Sequence, residues 1–306
     1  MALALTLIFS LLTAVTNAAS ATIQWDAAKK APPEEAKGFR LALYLARRPE
    51  YLAAIGALTL SFLFQAAALH EGELAVVQPL LVTELPFTLF LSAAWLGLGL
   101  DRRELLGAAA ICVGLGVLLG VGQPHGGRLT VPPETWAVTG AAVAAALIGL
   151  VLGARRGGSL RRTTLFALAS GIGYSVTAVL VKATTDRASG GIVHLLTGWE
   201  PYAMIIAGML SVLLQQQALR AGALAVAKPV TTIVNPVVSV VLAIVVFDES
   251  LRGGGLVAVE VLAMLVLVGG ILELSRSPLV TGQRRDDQRH EGRLGGGRRH
   301  GADRAA

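Results

Sequence analysis

The sequence predicts an all-α polytopic membrane protein with nine transmembrane helices that contain an inverted-topology internal repeat. Three observations support this fold class. The 306 residues are 54% hydrophobic and only 15% charged, with a mean hydropathy of +0.65, whereas about a quarter of the residues of a soluble domain are charged. The apolar residues form long blocks. Finally, one proline-containing stretch occurs twice.

The apolar blocks are long enough to span a bilayer, which takes about 20 helical residues. They cover residues 1–24, 51–69, 74–98, 104–122, 134–153, 163–183, 199–219, 224–247 and 254–274. We interpret the first block as a helix and not as a signal peptide, because it has no basic n-region and the positive charge follows it instead. The single cysteine, Cys112, provides no disulfide framework and no Cys-based metal site. The sequence also contains no nucleotide-binding loop and no nucleophile motif, so it does not favour an ATP-driven pump or an intramembrane enzyme.

The positions of Lys and Arg predict the orientation, because cytoplasmic loops carry an excess of both. Basic residues follow the first, third, fifth and seventh segments, whereas the alternate loops hold the acidic Glu71, Glu73, Asp248 and Glu249. Nine spans then place the N-terminus outside and the C-terminus in the cytoplasm, and we expect the plasma membrane. The Arg- and Gly-rich tail should be disordered, and its lack of aromatic residues argues against nucleic-acid binding.

The internal repeat relates residues 65–86 to residues 215–236 at an offset of 150 without a gap. Gln65, Gly72, Pro79 and Pro86 each meet an identical residue at this offset, which indicates a true duplication. Segments two to four therefore repeat as segments seven to nine, five helices later, and the odd separation inverts one copy. Inverted repeats of this kind are typical of secondary transporters, whose sites lie near the midplane where broken helices meet.

The repeat also sets the predicted domain boundaries. The first unit, residues 1–122, is a four-helix transmembrane repeat with a basic cytoplasmic loop at 25–50. The second unit, residues 123–275, is a transmembrane repeat with one additional helix. Residues 276–306 form the basic cytoplasmic tail.

Polar residues and prolines around the repeat predict the substrate pathway. In segment eight, the polar residues between Lys228 and Ser239 follow helical spacing and form one narrow stripe. Each proline removes a backbone donor, and such breaks persist in a membrane only against protein or a wet cavity. The predicted pathway residues are Asn17, Gln78, Glu84, Tyr174, Gln215, Lys228, Thr231, Thr232 and Asn235, and the predicted helix breaks are Pro79, Pro86, Pro229 and Pro236.

Glu84, Lys228 and Glu260 are charged residues that lie well inside predicted segments. A charge in hydrocarbon costs about 2.5–3.5 kcal/mol on insertion scales, so each of them is a functional candidate. Glu84 is at mid-span and its stem is too short to reach the interface. Lys228 either lines the pathway or extends to the cytoplasmic interface, and Glu260 either bonds a neighbouring helix or functions. Because their helices correspond in the two copies, we hypothesise that Glu84 and Lys228 pair in one state of a transport cycle.

The repeated unit, ALAVVQP…P and ALAVAKP…NP followed by FDESLRGGGLVAVE, resembles the EamA-type module of the drug/metabolite transporter superfamily. The resemblance covers residues 1–275 and implies a transporter fold that often has ten helices in two inverted sets of five. Nine spans with a basic loop after the first more closely resemble the NIPA-like magnesium-transporter branch. Lys228, however, stands where a cation carrier would have a neutral or acidic group.

These observations favour a secondary transporter that moves a small polar or amphipathic solute by alternating access. Proton coupling through Glu84 is plausible, because a buried carboxyl group can load and release a proton. The alternatives are a magnesium or divalent-cation permease, whose outer-loop carboxylates would suit a metal that prefers oxygen ligands, and a non-transporting membrane scaffold. The expected partners are the lipid bilayer and a small-molecule or ion substrate. We expect no nucleic acid, cofactor or resident metal, and the sequence is compatible with a homodimer.

Overall fold

The computed structural model describes residues 2–29, 48–96, 99–122, 125–128, 130–155, 158–221, 224–250 and 257–277. The secondary-structure elements in these ranges are α1 (Ala2–Lys29), α2 (Pro49–Glu71), α3 (Leu74–Leu81), α4 (Glu84–Leu96), α5 (Arg102–Gly122), β1 (His125–Gly126), α6 (Pro133–Ala154), α7 (Ser159–Ala188), α8 (Ile192–Thr197), α9 (Glu200–Arg220), α10 (Leu224–Phe247), β2 (Glu249–Ser250) and α11 (Val257–Ser275). Most of the predicted loop 25–50 and nearly all of the predicted tail lie outside the described residues.

Nine membrane-length apolar spans occur within the described residues, so the predicted all-α polytopic class is confirmed. Eight of the spans are formed by α1, α2, α5, α6, α7, α9, α10 and α11. The remaining span, Leu74–Trp95, combines α3 and α4. The short helix α8 connects two spans and is not one itself.

Local sequence explains where several helices begin and end. Proline lies in the first turn of α2, α6 and α9, where its missing N–H would lack an intrahelical partner in any case. Gly72 ends α2 in an extended conformation, with φ −147° and ψ 174°. The chain then reverses within Gly72 and Glu73 and begins α3 at Leu74.

Contacts between distant segments define the two ends of the helix bundle. At one end, β1 pairs with β2 in antiparallel register, His125 with Ser250 and Gly126 with Glu249. We call this the ribbon end. At the opposite end, Ser277 Oγ donates to Glu104 Oε1 at 2.6 Å and joins the end of α11 to the start of α5.

The two ends differ in charge. Among the described residues, the opposite end carries many arginines, namely Arg48, Arg102, Arg103, Arg155, Arg161, Arg162, Arg220 and Arg276. At the ribbon end the carboxylates Glu71, Glu73, Glu134, Asp186, Glu200, Asp248 and Glu249 outnumber Arg128, Lys182 and Arg187. The described arginines that the sequence assigns to the cytoplasm therefore lie at one end of the bundle, as the predicted topology requires.

The helices pack in pairs that are compatible with the sequence repeat. The most extensive contacts join α1 to α2, α7 to α9 and α5 to α11. In the first pair, Ser61 Oγ on α2 donates to Thr13 O at 3.0 Å. In the second, Ser170 Oγ on α7 donates to the backbone oxygen of Ser211 on α9 at 3.0 Å. Ser61 and Ser211 are related by the same offset of 150 and both are buried. The inverted relation of the two copies stays a prediction.

Buried apolar side chains form separate clusters on the two sides of the bundle. One contains Leu89, Ile111, Leu267 and Ile271, and lies between α4, α5 and α11. Another contains Leu69, Leu74, Val77 and Phe247, with residues of α7. The third span, which consists of α3 and α4, contributes to both clusters and lies between them. Its polar residues therefore face packed protein and not only lipid.

Candidate functional site

The third span is interrupted between the two prolines of the first copy. Helix α3 ends at Leu81 and α4 begins at Glu84. Across this gap the backbone forms shorter bonds, with Val82 N donating to Pro79 O at 3.1 Å and Thr83 N to Leu80 O at 3.0 Å. The Thr83 hydroxyl also donates to Leu80 O, at 2.7 Å. A threonine side chain that competes for the backbone in this way weakens the regular helix.

The breaks predicted at Pro229 and Pro236 are absent, because α10 continues through both residues from Leu224 to Phe247. This corrects the prediction that all four prolines break their helices. The position equivalent to Thr83 in the second copy is Ile233, which has no hydroxyl to compete for a backbone carbonyl. A proline removes only one backbone bond, and the protein around α10 tolerates that loss.

The interruption places Glu84 at the start of a helix in the middle of a span. Glu84 is the first residue of α4, where the positive end of the helix dipole stabilises a carboxylate. Asn17 Nδ2 on α1 donates to Glu84 Oε2 at 2.8 Å, and both side chains are half-buried. Two of the predicted pathway residues, 67 positions apart in sequence, thus form a polar pair between α1 and α4 near mid-span.

Gln78 and Lys228, which correspond in the repeat, have opposite environments. Gln78 on α3 is only 2% exposed, and its Nε2 has no hydrogen-bond partner among the described residues. Lys228 is exposed in the first turns of α10, at the end of the bundle opposite the ribbon. This position fits the interpretation that the Lys228 ammonium extends to the membrane surface. Among the described residues no ion pair joins Lys228 to Glu84, whose carboxylate contacts Asn17 instead.

Gln215 forms a second polar cluster between α7, α9 and α10. Its side-chain oxygen accepts from Thr231 Oγ1 at 2.8 Å and lies 3.0 Å from Ser170 Oγ, whose single proton it shares with Ser211 O. Thr231 Oγ1 also lies near two backbone oxygens, 3.2 Å from Ala167 O and 3.1 Å from Ala227 O. The predicted residues Gln215 and Thr231 are therefore brought together, with a serine that the sequence did not assign to the pathway.

Asn235 continues this polar face one turn along α10. Its backbone oxygen accepts from Ser175 Oγ on α7 at 2.8 Å, and its side-chain oxygen accepts more weakly from Ser239 Oγ at 3.4 Å. Thr232 and Tyr174 are half-buried on the same two helices. The structure thus separates the predicted site into a Glu84 pair on α1 and α4 and a hydroxyl-amide cluster on α7, α9 and α10.

Glu260 is buried near the ribbon end of α11, with 7% exposed surface. Its Oε1 has no hydrogen-bond partner among the described residues. The helix-to-helix hydrogen bond that the sequence suggested for this oxygen is therefore not formed there.

Lys182 and Glu249 form a buried ion pair at the ribbon end that sequence reasoning missed. Lys182 Nζ lies 3.8 Å from Glu249 Oε1, and their side chains are 10% and 1% exposed. Lys182 Nζ donates to Gly72 O at 2.8 Å, while the Glu249 oxygens accept from Leu74 N at 2.8 Å and Ala75 N at 2.9 Å. The ammonium thus binds the carbonyl end of α2 and the carboxylate caps the N–H end of α3, each matching the helix dipole. We call these two residues the latch pair.

The latch pair joins the two halves of the chain. Burial raises the pKa of the Glu249 carboxyl, although the N–H groups of Ala75 and Leu74 and the charge of Lys182 act in the opposite direction. The available sequence signal was Lys182 itself, a charged residue within the predicted sixth segment. Nothing in the local sequence showed that its partner lies 67 residues later.

Two of the four carboxylates proposed for cation entry have protein partners. Glu249 belongs to the latch pair, and Asp248 Oδ2 lies 2.7 Å from Arg128 Nη2 in an exposed ion pair. Within the described residues, no group of three or more His, Cys, Asp or Glu side chains is placed to hold a metal ion. The magnesium alternative is therefore left with Glu71 and Glu73, which are half-buried at the turn between α2 and α3.

Comparison with known proteins extends over almost the whole chain but assigns no activity. The chain is 29% identical over 275 residues to an uncharacterized protein of Corynebacterium glutamicum, a match that covers 89% of this chain and 95% of that protein. No family model and no solved structure matches. The similarity spans both copies of the repeat and is not confined to one half.

Proposed function

We propose that this chain is a plasma-membrane secondary transporter that moves a small polar or amphipathic solute by alternating access. The observation that carries the proposal is the Asn17–Glu84 hydrogen bond at mid-span, beside an interrupted helix. A carboxylate inside a membrane is costly, and such groups mark substrate or proton pathways. The resemblance of the repeated unit to the EamA-type module of the drug/metabolite transporter superfamily supports the same assignment.

The interrupted span gives this function a physical basis. Glu84 begins α4 directly after the interruption at Val82 and Thr83, and transporters use broken helices of this kind to bind solutes near the bilayer midplane. Glu84 is the group best placed to carry a proton, because Asn17 binds only one of its oxygens in this structure. The Gln215 cluster, which offers amide and hydroxyl groups, is suited to hydrogen-bonding an uncharged polar part of a solute.

The transport proposal predicts that Glu84→Gln lowers solute uptake by at least about tenfold. A hydrogen bond to a charged group contributes about 1.5–3 kcal/mol, and about 1.4 kcal/mol corresponds to a factor of ten. Uptake of a solute panel should be measured in proteoliposomes with and without a pH gradient. If Glu84 carries the proton, Glu84→Gln should also abolish any stimulation by the gradient.

Glu50→Gln is the matched control for this experiment. Glu50 is exposed in the first turn of α2, away from the polar clusters, so its replacement should leave uptake unchanged. Equal uptake by the Glu84→Gln and Glu50→Gln proteins would contradict a role for Glu84. Magnesium uptake that is saturable, together with no uptake of organic solutes, would favour the divalent-cation permease. A folded protein that moves nothing from a broad panel would favour the scaffold.

The orientation is a separate part of the proposal, with the N-terminus outside and the C-terminus in the cytoplasm. It predicts that a reporter active only outside the cytoplasm is inactive when fused after Arg48, Arg156 or Arg276 and active when fused after His125. The reason is the excess of Lys and Arg that cytoplasmic loops carry. Reporter activity after Arg276 would contradict the proposed orientation.

A further inference from the structure

A cavity of about 510 Å³ lies at the ribbon end, apart from both mid-span clusters. It is bounded by the starts of α6 and α9 and by the ends of α7 and α10. Three aromatic residues, Trp136, Trp199 and Phe247, and two carboxylate residues, Asp186 and Glu200, contribute to its lining. Its volume is within the range of small-molecule sites, about 300–1,000 Å³.

The two tryptophans give the cavity an aromatic wall. The rings of Trp136 and Trp199 meet edge to face, with centroids 5.0 Å apart and an interplanar angle of 88°. Trp199 remains 49% exposed despite this contact. The face of an indole ring attracts a cation, and tryptophan does so most strongly of the aromatic side chains.

The carboxylates of the cavity have acceptor capacity that the protein leaves unused. Asp186 Oδ2 and Glu200 Oε2 are buried and have no hydrogen-bond partner among the described residues. Arg187, which also lines the cavity, donates through Nη1 to the other oxygen of Glu200 at 3.2 Å and through Nε to the backbone oxygen of His194 at 2.8 Å. Lys182, one turn before Asp186, donates to the end of α2. The charges of Arg187 and Lys182 are thus engaged by other parts of the protein, and His194 in the lining and His70 near Asp186 are further basic side chains around the cavity.

We propose that this cavity binds an organic cation, an ammonium group carried on an apolar or aromatic body. Asp186 supplies the counter-charge, and the wall formed by Trp136 and Trp199 contacts the apolar part of the ligand. The excess of carboxylates at the ribbon end raises the local concentration of cations. A magnesium ion suits this wall less well, because it requires oxygen ligands in octahedral geometry and aromatic faces provide none. The proposal goes beyond transport and does not depend on it.

Binding can be tested with benzylammonium, whose N–H groups can donate to the unpaired carboxylate oxygens, titrated into the full chain in detergent and followed by calorimetry and tryptophan fluorescence. We expect saturable binding, weakened by at least about tenfold in Asp186→Asn and by about threefold or more in Trp199→Leu, because each variant removes one of the two attractions. Glu134→Gln is the matched control, since Glu134 is an exposed carboxylate at the same end of the bundle and does not line the cavity. Its affinity should equal that of the unmodified chain.

Three results would overturn the proposal. They are the absence of saturable binding by the folded unmodified chain, unchanged affinity in Asp186→Asn, and displacement of the probe by magnesium chloride but not by a second aromatic primary ammonium compound. If Asp186→Asn does not fold, Trp199→Leu and Trp136→Leu carry the test, and unchanged affinity in both would overturn the proposal. The cavity is separate from the mid-span clusters, and binding in detergent involves no transport. A negative result here therefore does not contradict the transport proposal.

Discussion

Replacement of Lys182 by methionine is expected to destabilise the folded protein by about 3–5 kcal/mol, the cost of removing one partner from a buried ion pair. Methionine keeps the length of the side chain but removes the ammonium that binds Gly72 O and faces Glu249. The Glu249 carboxylate would then be buried with two backbone N–H donors and no counter-charge. Retention of the size-exclusion peak after heating in detergent would measure the loss of stability.

A second substitution should restore part of this loss. In the double variant Lys182→Met/Glu249→Gln no charge is left uncompensated, so the double variant should be more stable than Lys182→Met alone. Residues in direct contact are expected to give such non-additive effects. If the two single losses simply add, the latch pair does not act as a unit.

The effect of Lys182→Met should also depend on pH. Burial raises the pKa of the Glu249 carboxyl above its ordinary value of 4.5, the charge of Glu73 acts in the same direction, and Lys182 opposes both. Without Lys182 the pKa rises further, so the folded protein keeps a proton that the unfolded chain has released. Stability is therefore greatest below 4.5 and falls as the pH rises through the raised pKa. Glu249→Gln should remove this fall.

The neighbouring pair of Arg128 and Asp248 provides a matched control. It lies at the same end of the bundle with a shorter distance, 2.7 Å, but its side chains are 42% and 70% exposed. Exposed ion pairs contribute about 0–1 kcal/mol because water already stabilises each charge. Arg128→Gln should therefore change stability little. A Lys182→Met variant as stable as Arg128→Gln would show that the latch pair is not important for folding.

The sequence predicted the spans well because membrane insertion depends on properties that are local in sequence. Length and hydropathy of each block decide whether it can cross a bilayer, and Lys and Arg placement separates the two ends. The polar face of α10 was also predictable, because helical periodicity alone places Thr231 and Asn235 on it. Helix breaks were expected at Pro79 and Pro86, whereas the structure keeps both prolines in helices and interrupts the third span between them, at Val82 and Thr83.

What the sequence did not predict depends on contacts between distant segments. Asn17 and Glu84 were both candidates, but their hydrogen bond follows from the packing of α1 against α4. Under the cation-permease alternative, Glu249 was interpreted as an outer-loop carboxylate that attracts cations, whereas it is buried as the cap of α3. Helix α10 continues through Pro229 because of the helices packed around it, and the presence of a proline in the sequence does not reveal that packing. Contacts between residues far apart in the chain leave no periodic pattern in the sequence.

Gly114→Ala and Gly270→Ala are expected to separate α5 from α11, one of the three most extensive helix pairs among the described residues. A Cβ atom on Gly114 would lie 2.8 Å from Leu267 N and 2.9 Å from Ala263 O. A Cβ atom on Gly270 would lie 2.8 Å from both Gly107 O and Ile111 N. All four neighbours are backbone atoms, so no rotamer change can make room and the helix axes themselves must move apart. Small residues allow membrane helices to approach this closely.

The expected loss is about 1–3 kcal/mol for each variant, the range for overpacked interiors, with the upper part favoured because backbone must shift. Gly116 and Gly269 are matched controls on the same two helices, since a Cβ atom on either would have no neighbour within 4 Å. Alanine at these two positions should leave the heat-resistant fraction of the protein unchanged or raise it, because alanine favours helix over glycine by about 1 kcal/mol. Equal stability of the Gly269→Ala and Gly270→Ala variants, which differ by one position, would contradict the close contact between α5 and α11. A loss confined to Gly114 and Gly270 would show that these two glycines hold the end helices of the two copies together.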